Sequence, residues 1–148
     1  MKMKIMLLSF SMFMLASTGF AQKKKAPKGI ISDQVGIKKY HNKSDLERMQ
    51  KGALLVLYKE RIETLVKMLP YIAFATKPGV TMASLGIPTN SDNTKALDSQ
   101  FEATDDFLET TNEFQDRILP YSDTKNLIAA ILFYEETLKS LHEYSEFH

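Results

Sequence analysis

Residues 44–69, SDLERMQKGALLVLYKERIETLVKML, decide the fold. Ser44, Asp45, Leu46 and Glu47 read as a capping box, in which the serine and glutamate side chains satisfy the first orphan N–H groups of a helix. The spacing predicts one helix over residues 45–69. Its middle, Ala53-Leu54-Leu55-Val56-Leu57-Tyr58, is apolar around the whole circumference at about 100° per residue, the pattern of a helix enclosed by neighbours. Gly52 costs about 1 kcal/mol relative to alanine inside a helix and marks a close approach of another backbone.

The stretch ends on Leu69-Pro70-Tyr71, and Leu119-Pro120-Tyr121 recurs later, with Glu63 matching Glu113 and Lys67 matching Arg117 at the same offsets. Proline at the first position of a new turn is tolerated because its missing N–H would be unpaired anyway. Both copies therefore read as helix–helix corners, with each tyrosine ring expected under its corner. Too few positions match to argue duplication.

Between the corners, residues 94–118 form an amphipathic helix. Leu97, Phe101, Phe107, Leu108, Phe114 and Ile118 fall within an arc of about 140°, expected to face the core. Asp98, Glu102, Asp105, Asp106, Glu109, Glu113 and Asp116 occupy a separate arc of about 100°, where like charges four apart repel and need some offset. After the second corner, Ser122 is the expected N-cap of a last helix running to about residue 144. Leu127, Ala130, Ile131, Phe133, Tyr134, Leu138, Leu141 and Tyr144 form its apolar face, widened by Ile128 and Leu132, and Glu135–Lys139 reads as a solvated i,i+4 pair.

Residues 76–93 lack helical periodicity and are punctuated by Pro78-Gly79, Gly86, Pro88 and Asn90-Ser91-Asp92-Asn93, with one helical turn expected near residues 81–85. The predicted fold is all-α, a bundle of three long helices with a short fourth element possible over residues 70–87.

Upstream, residues 22–43 read as a lysine-rich flexible arm, and residues 1–21 as a secretory signal. Lys2 and Lys4 precede an apolar run over residues 5–15, and Gly19-Phe20-Ala21 offers cleavage after Ala21. About 11 apolar residues fall short of the ~20 that span a bilayer. These features predict an exported periplasmic or secreted protein with one domain over residues 44–148. Lys23, Lys24, Lys25 and Lys28 allow peripheral membrane contact at most, and nucleic acid is not an expected partner.

Absence of cysteine excludes disulfides, thiolate catalysis and Cys-ligated metals. No catalytic motif, Glu-x-x-His pair or phosphate-binding glycine pattern occurs, so no enzyme activity, cofactor or metal site is expected. Charge is polarised: residues 22–77 hold 13 Lys/Arg against 5 Asp/Glu, and residues 78–148 hold 4 against 13. Local compensation between adjacent helices is one consequence of this layout; a docking surface of one sign is the other.

The functional expectation is a non-enzymatic adaptor or accessory subunit that binds another envelope protein. Its expected contact residues are Val80, Met82, Leu85 and Ile87 in the loop, with Asp98, Glu102, Asp105 and Glu109 on the acidic helix. The alternative is a bundle that binds a small molecule or lipid in a cavity lined by Met49, Met68, Tyr71, Phe74 and Tyr121.

Overall fold

A computed structural model describes residues 27–146. The signal segment, its cleavage site after Ala21 and Lys23 to Lys25 lie outside the described residues. The chain forms α1 (Lys43–Glu47), α2 (Lys51–Met68), α3 (Ser91–Ile118) and α4 (Thr124–Glu146), with 3₁₀ turns at Leu69–Tyr71, Ala83–Leu85 and Leu119–Tyr121. This is the expected all-α class.

The expected single helix over residues 45–69 is broken. Asn42, two residues before Ser44, is the N-cap: its side chain accepts from the Asp45 N–H while the Asp45 carboxylate accepts from the Asn42 N–H. Ser44 only donates its hydroxyl to Asn42 Oδ1, at 2.6 Å. The chain turns at Arg48–Gln50 and restarts with Gln50 in an extended conformation. Both pieces reach one cluster, since Leu46 and Leu54 are fully buried with Leu57, Leu127, Ile128 and Ile131. The other caps shift similarly. Asn90 caps α3 by accepting from the Asn93 N–H, and at α4 the Asp123 carboxylate accepts from the Lys125 N–H while the Ser122 hydroxyl donates to the Leu119 carbonyl.

Helix α2 lies between the other two long helices. Leu65 and Leu138 share one cluster and Leu54 and Leu127 another, so α2 and α4 run parallel. Lys59 meets Asp116 and Lys67 meets Asp105, so α3 runs antiparallel to α2. Residues 54, 57, 61, 64, 65 and 68 make the buried side of α2. Enclosure on all sides does not hold, because Val56 is 56% exposed, and the expected close approach at Gly52 is absent among the described residues, since a Cβ there would meet nothing within 4 Å. Three long helices leave part of the middle one open.

The two Leu-Pro-Tyr corners differ. Tyr71 is buried against Phe101, with ring centroids 5.7 Å apart, because the following loop folds back with Ala75, Val80, Met82 and Ile87 against the same cluster. Tyr121 is 87% exposed, because the chain passes directly from Ser122 into α4 and nothing returns to cover the ring.

The flexible arm is corrected over its described part. Ile30, Ile31 and Val35 are buried with Leu65, Met68, Tyr71 and Leu138, and burial of such side chains stabilises by about 1.5–3 kcal/mol each. Residues 27–42 form a strap. The Ile30 N–H donates to the Val80 carbonyl at 2.7 Å, beside an antiparallel bridge from Gly29 to Thr81. At Gly29 a Cβ would come within 2.8 Å of the Ile31 carbonyl oxygen, so this close approach requires glycine.

Candidate functional site

Three features could carry function: a buried charge cluster that clasps the strap, a cleft beneath the strap, and the outer face of α3. The clasp is built by two charges inside apolar stripes. Arg61 sits on α2 between Leu57 and Leu65, and Glu135 on α4 between Ile131 and Leu138; both are buried. Arg61 Nε donates to Glu135 Oε1 at 2.8 Å, and Arg61 also donates to the Lys39 carbonyl at 2.8 Å. The His41 backbone N–H donates to Glu135 Oε2 at 2.5 Å, and His41 Nδ1 lies 2.9 Å from Oε1. Beside it, the Tyr40 hydroxyl and His142 Nδ1 are 2.9 Å apart.

Burial alone would raise the Glu135 pKa, but hydrogen bonds from the His41 side chain and backbone and from Arg61 hold it below the ordinary carboxylate value. Burial, reinforced by Glu135, pushes the Tyr40 hydroxyl up. This arrangement corrects the reading of Glu135 as half of a solvated pair with Lys139. The cluster ties Lys39 and His41 of the strap to Arg61 on α2 and Glu135 on α4, which is the arrangement of a latch.

The cleft has a volume of about 950 Å³ and lies between the strap, α2 and the first half of α3. On its walls, Lys67 donates to Glu63 at 2.8 Å and lies 3.5 Å from Asp105. The hydrogen bond with Glu63 outweighs partial burial and raises the Lys67 pKa. Lys28 pairs with Asp98 at 2.6 Å, with its ammonium 4.4 Å from the Phe101 ring centroid. The Thr64 and Thr104 hydroxyls donate back to the carbonyls of Glu60 and Gln100. Tyr71 also lines the cleft, and its buried hydroxyl approaches Thr104 but closes no hydrogen bond. Burial is the main cause of its raised pKa.

On α3 the anticipated apolar arc splits. Leu97 and Phe101 pack on the core beneath the strap, and Thr104, Leu108 and Gln115 are buried along the same seam. Phe107, Phe114 and Ile118, about 40° wide on the helical wheel, remain 55%, 63% and 51% exposed. α3 packs chiefly on α2 and makes little contact with α4, so nothing among the described residues covers this second stripe.

The expected contact residues separate in the same way. Val80, Met82 and Ile87 pack against the core, so the loop is not a free apolar surface, although Leu85 stays exposed. Asp98 and Asp105 are paired with Lys28 and Lys67, whereas Glu102 and Glu109 are exposed and in no ion pair among the described residues. Pairing of α3 carboxylates with the strap and with α2, Lys59–Asp116 at 2.5 Å being a third case, offsets part of the polarised charge locally.

The anticipated cavity does not form from its five residues. Met68 and Tyr71 belong to one buried cluster and Met49 packs on the other, while Phe74 and Tyr121 are exposed. Only Tyr71 faces the cleft.

Among the described residues there is no cluster of His, Asp or Glu able to hold a metal ion, and no helix long and apolar enough to cross a membrane. No family model matches the chain, no curated protein matches it, and no solved structure matches it.

Proposed function

We propose that the protein is an exported, non-enzymatic adaptor that binds another envelope protein through α3. The observation behind this reading is the uncovered stripe of Phe107, Phe114 and Ile118 on a helix held along one seam only. Large apolar side chains gathered on one helix face are the usual anchors of helix-in-groove and helix-on-helix recognition.

Chemistry beside the stripe narrows the partner. α3 carries eight Asp/Glu against Lys95 and Arg117, and Glu102, Asp106, Glu109 and Glu113 are exposed. A basic amphipathic helix complements such a face: its apolar side covers the phenylalanines and its cations steer the approach. The contact surface is thus moved from the loop to α3, with Glu102 and Glu109 retained and Val80, Met82 and Ile87 assigned to the core.

Native mass spectrometry of the protein isolated gently from its host tests this function. A stoichiometric protein partner that is lost from Phe107→Ser/Phe114→Ser, with the fold intact by circular dichroism, is the expected result. A partner retained by that variant, or no protein partner at all, contradicts it.

A further inference from the structure

We propose that the cleft beneath the strap is a binding site for a neutral, hydroxyl-rich ligand of the saccharide class, with the Tyr71 hydroxyl at its base. This site is separate from the α3 face and does not depend on it.

The first support is the Tyr71 hydroxyl. The residue is only 5% exposed, lines the cleft, and its oxygen has no hydrogen-bond partner among the described residues. A buried polar group left unpaired costs about 1–3 kcal/mol, and phenylalanine would supply the same ring without that cost. Thr64 and Thr104, both buried and lining the same cleft, have turned their protons back to helix carbonyls; Thr104 Oγ1 also accepts from the Gln100 amide at 3.5 Å, and each oxygen still presents a lone pair. The base of the cleft therefore holds one hydroxyl that can donate and two that can accept.

Charge supplies the second support. The better buried cations of the cleft are committed to partners, Arg61 to Glu135 and Lys67 to Glu63 and Asp105, and at its exposed edge Lys28 pairs with Asp98. A charged or zwitterionic ligand would need an unpaired counter-charge at depth. The cleft residues in no ion pair among the described residues are Lys38, Lys39 and Asp33, all exposed. Paired carboxylates still have lone pairs to offer, and a Lys67 ammonium with two partners keeps a third proton. Walls that exchange hydrogen bonds of both polarities without net charge match the alternating donors and acceptors of sugar hydroxyls. Val35, Leu57 and the Phe101 edge provide apolar contact for C–H faces. The volume lies at the upper end of the small-ligand range and leaves room for a short oligomer.

A glycan array carrying neutral hexose and N-acetylhexosamine oligomers beside uronic-acid and sulfated oligomers, probed with the full chain, tests the site. Binding to neutral members is expected, with at least a tenfold loss in Tyr71→Phe, whose melting temperature should equal or exceed that of the parent. Gly36→Phe is the second variant. Position 36 lines the cleft and a Cβ there meets nothing within 4 Å, so the added ring should occupy the cleft, leave the fold intact and abolish binding. Phe114→Ser should bind as the parent does. No binding by the parent, binding confined to charged glycans, or undiminished binding by both cleft variants overturns the proposal.

Discussion

Helices α3 and α4 are both long and both flank α2, yet they are held in different ways. α4 buries Leu127, Ile128, Ile131 and Leu138 and inserts Glu135 into a fully bonded cluster with Arg61 and His41. α3 places Thr104 and Gln115 among its three buried positions, and the Gln115 side-chain oxygen has no partner among the described residues. Its largest apolar side chains in the second half point away from the seam and stay exposed. Two long helices of one bundle thus differ, one built for stability and one whose apolar surface exceeds what the described residues cover.

The contrast breaks most severely at the clasp. Glu135→Ala leaves Arg61 buried without its counter-charge, and removing one partner of a buried pair costs about 3–5 kcal/mol; urea denaturation should show that loss. Its pH dependence has a defined sign. The native pKa of Glu135 lies below its ordinary 4.5, so the stabilisation is complete above about pH 4.5 and falls as the pH drops through the lowered native value. The parent should therefore lose stability on acidification below about pH 4.5, and Glu135→Gln should show a smaller slope there.

Truncation in the two helices should differ next. Ile131→Ala, at a fully buried site, should cost about 2–5 kcal/mol. Phe114→Ser should change stability by about 0.5 kcal/mol or less, as expected of an exposed position. Thermal denaturation of both variants compares the helices directly, and equal losses would erase the distinction.

Much of this architecture was legible in the sequence. The apolar periodicity of residues 53–69, 97–118 and 127–141 gives three long helices, and the Leu-Pro-Tyr corners mark where two of them end. The latch was legible too, but only by comparing two helices. Arg61 falls inside the stripe of Leu54, Leu57, Leu65 and Met68, and Glu135 inside that of Ile131 and Leu138. Opposite charges in two apolar stripes call for each other, whereas a wheel of α4 alone pairs Glu135 with Lys139.

The strap was hidden by its lysines: Ile30, Ile31 and Val35 have no helical period, and their burial depends on a groove that only the assembled helices create. The exposure of Phe107 and Phe114 was not legible because a helical wheel gives the width of an apolar arc, not the number of helices available to cover it. The fates of Tyr71 and Tyr121 diverge for a related reason, since the same three residues are covered only where the chain returns.

Smaller effects sharpen the comparison. Gln115→Leu should stabilise the seam between α2 and α3 by about 1 kcal/mol, because it removes a buried acceptor that lacks a donor; differential scanning calorimetry should show a higher melting temperature. Lys59→Met should cost less than about 1 kcal/mol, since the Asp116 end of that pair is exposed. Any loss on its removal should shrink further in 1 M salt.

The most direct test places a photoreactive benzoyl-phenylalanine at position 114 on α3 and, separately, at position 133 on α4, where Phe133 is comparably exposed. Irradiation in the host should give one discrete protein adduct from position 114, suppressed by Phe107→Ser, and none from position 133. Equal adducts from both positions, or none from position 114, would contradict the assignment of α3 as the binding helix.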